Sequence, residues 1–215
     1  MAGMRSYGDS CGVARALDLV GERWALLVVR ELLLGPKRFT DLRSGLPGAS
    51  PNVLSQRLHE LEDGGVVRRR RLDPPASVWV YELTPWGQDL EPVVLALGRW
   101  GARSPSMPAA PLSVDALVLA LKTTFSSSAA VGVVGTYELR LGDDRFQARI
   151  VDGELSLVRG GDAAPVATIE ADPATLTGIV FGGVDLGAAT VTGDRRSARR
   201  FLRLFVTPVV TADEG

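Results

Sequence analysis

Residues 50–65, SPNVLSQRLHELEDGG, specify one helix at both ends and along its inner face. Ser50 is an N-cap type, and Pro51 suits the first helical position, where its missing N–H would have no partner anyway. At about 100° per residue, Leu54, Leu58 and Leu61 fall in one stripe, while Asn52, Gln56, His59 and Asp63 gather on the opposite side. Gly64-Gly65 stops the helix. Two strand-like runs follow, VVRRRRL and SVWVYELT, joined by DPPA as a hairpin.

Upstream, CGVARALDLVGERW reads as a helix with Val13, Leu17 and Val20 on one side. WALLVVRELLLG reads as a second, apolar almost all round and expected at the centre of its domain. Gly35-Pro36 ends it. Phe39, Leu42 and Leu46 mark a short third helix closed by Pro47-Gly48, so that SPNVLSQRLHELED is the fourth. A helix set followed by a hairpin is the order of a winged helix. Thr84-Pro85 then opens one long helix carrying Leu90, Val93, Val94, Leu97 and Trp100 at helical spacing. An apolar terminal helix on so small a domain needs a cover, and a second copy is the commonest one, which predicts a homodimer through the first and last helices of this half.

Residues 104–111 lie in SPSMPAAPL, which has three prolines and no periodic apolar pattern and reads as a linker. The expected domains are therefore 1–103, a linker at 104–111, and 112–208. In the second, SVDALVLALKTTF is an amphipathic helix capped by Ser113. TYELRL, RFQARIV, ELSLVR and VATIEA follow as strands of an antiparallel meander. DPATLTGIVFG reads as a helix, and AATVTGDRRSARRFLRLFVTP as a strand, a turn and a last helix with Phe201, Leu202 and Phe205 inward. AVGVVG, residues 130–135, resembles a dinucleotide loop only superficially, since a strand follows where a helix is required.

The 215 residues carry a formal charge of −1 with 46% hydrophobic content, enough for two buried cores. Charge is unevenly placed: 14 Lys and Arg against 12 Asp and Glu through residue 103, then 10 against 13. The front half has the sign that suits DNA, by a small margin. Cys11 alone forms no intrachain disulfide, and His59 alone completes no zinc cluster, so no metal is expected. No nucleophile–base pair or carboxylate dyad can be assembled, so neither catalytic residues nor a cofactor are expected. The longest apolar run is broken by Arg30 and Glu31, and MAGMRSYGDS lacks a signal-peptide core, which predicts a cytoplasmic protein without a membrane segment.

In order along residues 7–103, Cys11, Ala16-Leu17, Gly21, Trp24, Leu32, Gly35, Arg38-Phe39, Leu42, Leu54, Arg57-Leu58, Leu61, Gly65, Arg69, Pro74-Pro75, Tyr81, Leu83-Thr84 and Gly87 resemble the pattern of the HxlR family of bacterial winged-helix regulators. Gly12 stands where that family usually has proline, and Val80 where it usually has glutamate. The resemblance implies a dimer on promoter DNA, the fourth helix in the major groove and the wing on the backbone. The residues agree with it. Asn52 and Gln56 are one turn apart on the outer face, and amides can pair with adenine edges. His59 lies further along. Ser50, Ser55 and Arg57 flank the stripe and suit phosphates, and Arg38 joins them through its family match. Side chains alternate along a strand, so about half of the four arginines at 68–71 can face one duplex, with Arg69 and Arg71 favoured.

Cys11 sits at the start of the first helix, where backbone N–H groups and Arg15 would favour thiolate, making it a candidate redox sensor. A small buried residue at the dimer interface is the competing reading. The second half is similar to sterol-carrier-protein-like domains, which implies helices over a sheet and a site for an apolar small molecule. The expected fold is thus α+β: an N-terminal winged helix-turn-helix domain with extra dimerisation helices, then a small α+β domain with a mainly antiparallel sheet covered by helices. The expected function is a dimeric transcriptional regulator that binds near-palindromic double-stranded DNA and responds to an apolar small-molecule effector or a thiol-reactive signal. The rival is an apolar-ligand carrier whose winged helix serves dimerisation or protein docking.

Overall fold

A computed structural model describes residues 6–104 and 111–206. The chain divides into two compact units, Met1–Val94 and Leu95–Gly215. Most of the expected linker lies outside the described residues. Among those described, no helix is long and apolar enough to cross a membrane.

The first unit runs α1 (Gly12–Val20), α2 (Ala25–Leu32), α3 (Phe39–Gly45), α4 (Pro51–Asp63), β1 (Val67–Arg71), β2 (Trp79–Leu83) and α5 (Pro85–Gln88). Its core is Val28, Val29 and Leu32 of α2, Leu42 of α3, Leu54, Leu58 and Leu61 of α4, and Val66 and Val67 at the root of the hairpin. Packing a periodic leucine stripe on an almost wholly apolar helix removes both from water, at roughly 1.5–3 kcal/mol per large side chain. The turn between α3 and α4 fits closely: a Cβ on Gly48 would stand 2.8 Å from Trp24 Cη2. Trp24 itself has a φ of 79°, as the residue that turns the chain into α2.

β1 and β2 pair antiparallel, with Val67 opposite Leu83 and Arg71 opposite Trp79. Lys37 adds a third short rung, exchanging both backbone hydrogen bonds with Tyr81 at 3.0 and 2.8 Å. Thr84 closes the base of the wing. Its Oγ1 donates to the Gly65 carbonyl at 2.8 Å and accepts from the Gly87 N–H at 3.0 Å.

The single helix expected after Thr84 is two: α5, and α6 (Glu91–Gly101), which crosses from the first unit into the second. Pro92 is the reason, since it has no N–H to give to the Gln88 carbonyl and its ring crowds that carbonyl.

The second unit continues with α7 (Val114–Thr124), β3 (Gly135–Leu141), β4 (Asp144–Val151), β5 (Glu154–Arg159), β6 (Ala167–Ala171), α8 (Pro173–Phe181), a 3-10 turn at Leu186–Ala188, β7 (Thr190–Gly193) and α9 (Arg195–Leu202). Ser113, Asp172 and Asp194 cap α7, α8 and α9 through their side-chain oxygens. Strand order is β5-β4-β3-β6-β7. The sheet is therefore mixed rather than a simple meander: β3, β4 and β5 form one, but β6 returns to pair parallel with β3, Tyr137 opposite Ala167. Register makes this crossing short. Arg159 ends β5 level with Phe146 and hence Leu139, and β6 begins at the level of Tyr137, so residues 160–166 step back by only about two residues while passing over the sheet, where Gln147 Nε2 donates to the Ala163 carbonyl at 2.9 Å. Gly160 and Gly161 open that crossing at φ 72° and 120°, a region costly for other residues. Inside, Tyr137 stacks on Phe201 at 4.3 Å between centroids, and Phe201 meets Phe205 edge-on at 5.1 Å.

Candidate nucleic-acid interface

The outer face of α4 is held in place from beneath. Leu54, Leu58 and Leu61 are at most 1% exposed, and Ser50 Oγ accepts the Val53 N–H at 3.4 Å to begin the helix. With the stripe anchored, the helical period turns Asn52, Ser55, Gln56 and His59 to solvent, and all four are exposed. The Gln56 amide donates to Glu60 Oε1 at 3.0 Å, and His59 Nε2 lies 3.4 Å from Asp63, so each long side chain is steered along the helix toward its C-terminal end.

Arg57 is placed differently from expectation. It is 9% exposed, with Nη1 2.5 Å from Glu60 Oε2 and 3.6 Å from Glu22. Its position beside the leucine stripe carries it inward, toward the turn between α1 and α2. There it offsets Glu60, whose carboxylate would otherwise lie unbalanced next to the outer face.

Arg38 and Ser50 are exposed at the starts of α3 and α4. Between those helices runs a shallow groove to which Thr40, Arg43, Ser44 and Ser50 contribute polar side chains, beside Pro47, Ala49 and Pro51. Thr40, Arg43 and Ser44 were not among the residues expected from sequence. Their signal was present but weak: they are the polar residues at i, i+3 and i+4 on the side of α3 opposite Leu42. Donors at this groove, next to the positive end of the α4 dipole, suit an anion such as a phosphate oxygen.

The wing sorts its four arginines by face. Arg68 and Arg70 share Glu82 across the hairpin, at 2.7 and 2.6 Å. Burial pushes the Glu82 carboxyl upward, but the two guanidiniums outweigh it and hold it below the usual carboxylate range. Arg69 and Arg71 point the other way. The Arg69 guanidinium lies over the Trp79 ring, 4.7 Å from its centroid, and near Tyr81, while Arg71 Nε donates to the Ser77 carbonyl at 3.3 Å. Both remain exposed. The stacked Arg69 is braced by a ring, and among the described residues no carboxylate pairs with it.

Cys11 is the exposed N-cap residue of α1, and its own N–H donates to Asp9 Oδ1 at 2.8 Å. The backbone N–H groups of Val13 and Ala14 hold its thiol below the ordinary cysteine value. The effect comes from the backbone, not from Arg15. Among the described residues, no group of three His, Cys, Asp or Glu side chains could hold a metal ion.

A recognition-type helix anchored by its leucines, preceded by a short helix and followed by a braced two-stranded wing, is a winged helix-turn-helix. The chain belongs to the HxlR-like helix-turn-helix family, whose model matches residues 19–107. It is 38% identical over 86 residues to the uncharacterized HTH-type transcriptional regulator YvaP of Bacillus subtilis, covering 40% of this chain and 80% of that one. It is 34% identical over 95 residues to the uncharacterized HTH-type transcriptional regulator sll1512 of Synechocystis, covering 44% and 70%. Among solved structures, the redox regulator HypR in its oxidized form is similar at 33% identity, over 45% of this chain and 100% of that one, with a TM-score of 0.40. The chain is a DNA-binding transcriptional regulator of the HxlR type by this membership. The family match ends at residue 107, so the second unit from α7 onward lies outside it.

Proposed function

We propose that this chain is a one-component regulator that occupies a near-palindromic operator as a homodimer. In this reading α4 enters the major groove with Asn52, Gln56 and His59 toward base edges. Arg38, Ser50 and Ser55, joined by Thr40 and Arg43, contact phosphate, and Arg69 and Arg71 of the wing grip the backbone. The observation that carries the reading is the outer face of α4: amide and imidazole side chains exposed on a helix whose opposite face is locked by three buried leucines. Arg57, turned inward, is left out of the contact set.

Dimerisation is supported by apolar side chains left open to water. Val13 and Leu17 of α1 are exposed, as are Val93, Leu97 and Trp100 of α6, the last at 68%. An interface between copies would cover them. The domain bounds 1–103 and 112–208 joined by a linker at 104–111 belong to the same proposal, with the second unit a sterol-carrier-like effector domain. Two signals fit. An apolar small molecule in the second unit is one, and modification of Cys11 is the other, supported by its exposure and its thiolate-favouring backbone. Either would act by changing the spacing of two recognition helices.

The experiment is selection of genomic fragments by the purified protein, followed by footprinting of the recovered sequence. A two-fold site with half-sites about one helical turn apart, roughly 34–36 Å, is expected. Recovery of fragments without a shared sequence would overturn the reading.

A further inference from the structure

The sequence beyond residue 103 holds more acid than base, yet half of its cations stand on one helix. Of the 10 Lys and Arg there, five are Arg195, Arg196, Arg199, Arg200 and Arg203, on α9 and its C-cap. At about 100° per residue they fall within an arc of about 140°, and all five are exposed. Ala198, Phe201 and Leu202 take the opposite side and are buried in the core, where Phe201 stacks on Tyr137. The arginines therefore form one continuous face.

The fold gains little from that face. Arg195 with Arg199, Arg196 with Arg200 and Arg199 with Arg203 stand four residues apart, a spacing at which like charges repel. Arg195 and Arg196 also occupy the first turn, at the positive end of the helix dipole, where a cation is disfavoured, while Arg199 and Arg200, in the last turn, offset it. Elsewhere in the unit Arg140 pairs with Glu138 and Arg159 with Asp115, but among the described residues none of the five is ion-paired. Two acids bordering the face are engaged as caps. Asp194 Oδ1 accepts the Arg196 and Ser197 N–H groups at 2.8 and 3.2 Å, and Asp185, beside Arg199 and Arg203, accepts the Gly187 N–H at 2.6 Å. A face that repels itself and has so little counter-charge within the fold calls for one from outside.

We infer that the α9 face binds the phosphate backbone of double-stranded DNA flanking the site read by the winged helix. From Arg195 to Arg203 the helix rises about 12 Å, a length over which a duplex carries about seven phosphate charges. Guanidiniums match phosphate oxygens with paired N–H donors. Linkage to a DNA-reading unit keeps α9 at high effective concentration near a duplex, and phosphate contacts need no particular bases there. An anionic membrane is the poorer match, because interfacial helices enter a bilayer by an apolar face and that of α9 is packed in the core. The inference rests on DNA binding by the winged helix and adds to it a second contact, indifferent to sequence.

Fluorescence anisotropy of the full chain on a mixed-sequence duplex several turns long, over a series of salt concentrations, tests it. Each phosphate contact contributes about 0.9 to the slope of log affinity against log salt, so Arg196→Gln with Arg199→Gln and Arg203→Gln lowers that slope by about 2–3 per chain, and affinity at low salt by at least about tenfold. The thermal midpoint of this variant stays at or above that of wild type, since like charges have been removed. Arg145→Gln with Arg149→Gln, exposed on the other face of the sheet, leaves the slope unchanged. On an operator fragment, wild type protects backbone beyond the ends of the variant's footprint. An unchanged slope in the Arg196/Arg199/Arg203 variant, or footprints of equal extent, overturns the inference and leaves the winged helix as reader. A full chain that binds no duplex overturns both. Phosphatidylglycerol vesicles that bind the chain, with the loss in the variant confined to the vesicles, assign the face to a lipid surface and overturn the DNA contact.

Discussion

The ammonium of Lys37 lies 2.7 Å from Oε2 of Glu31, a carboxylate with no exposure in the last turn of α2. Arg30 reaches the other oxygen at 2.8 Å. Because the Lys37 backbone is bonded on both sides to Tyr81, this ion pair ties the central helix to the root of the wing. Removing the cation by Lys37→Met leaves a buried carboxylate short of a partner, at a cost of about 3 kcal/mol. Chemical denaturation is the measurement, and a loss below about 1 kcal/mol would show that Glu31 does not depend on Lys37.

The same pair predicts an acid dependence. Burial pushes the Glu31 carboxyl upward, but Lys37 and then Arg30 outweigh it, so its folded value is held below the ordinary one. A depressed carboxyl stabilises fully above its unfolded value, about 4.3, and that stabilisation is lost as pH falls through the folded value. The midpoint of thermal unfolding should fall between pH 5 and pH 3 in the wild type, and less steeply in Glu31→Gln.

Reading and gripping should separate on DNA. Gln56→Ala is expected to relax preference at one or two base pairs, by about 1–3 kcal/mol each, while Arg69→Ala weakens all sequences alike and lowers the salt slope by about 1. Binding-site selection at several salt concentrations distinguishes the two. Equal losses on every sequence for both variants would contradict the assignment of α4.

Arg57→Ala should act on the fold and not on the operator directly. It removes the partner of Glu60 and Glu22, so a stability loss of about 1–2 kcal/mol with an unchanged salt slope is expected. A salt slope reduced by about 1 would return Arg57 to the phosphate contacts.

Cys11 should alkylate with a pH midpoint below the about 8.5 of an unperturbed thiol. Iodoacetamide rates measured from pH 5 to 10 give it directly. A midpoint at or above 8.5 would remove the physical basis for thiol sensing at this position.

What could be seen in the chain beforehand was local. α4 carries its cap, its stripe and its stop within its own residues, and the alternation of Arg68 to Arg71 needs only the pleat of a strand. The inward placement of Arg57 could not be read because its surroundings are set at a distance. It lies at the flank of the leucine stripe, and Glu22, in the turn before α2, draws it inward. Glu31 gave no signal as one acid in an apolar helix, since its meaning lies in a lysine brought back beside it by the chain reversal at Gly35-Pro36. The break between α5 and α6 was legible in Pro92 and was outweighed by the apolar period across it. Pairing of β6 with β3 could not be read from either strand, because both alternate in the same way whichever neighbour they take.

That parallel pairing also orders events in time. β3, β4 and β5 are joined at residues 142–143 and 152–153 by turns that close small loops, so their hydrogen bonds cost little chain entropy and can form as soon as those residues are free. β6 can dock only on an edge of β3 that already exists, and β7 only on β6. The edge of β3 is thus open until Ala167 arrives, and a chain halted in the 160–166 crossing would present that edge to any other strand within reach.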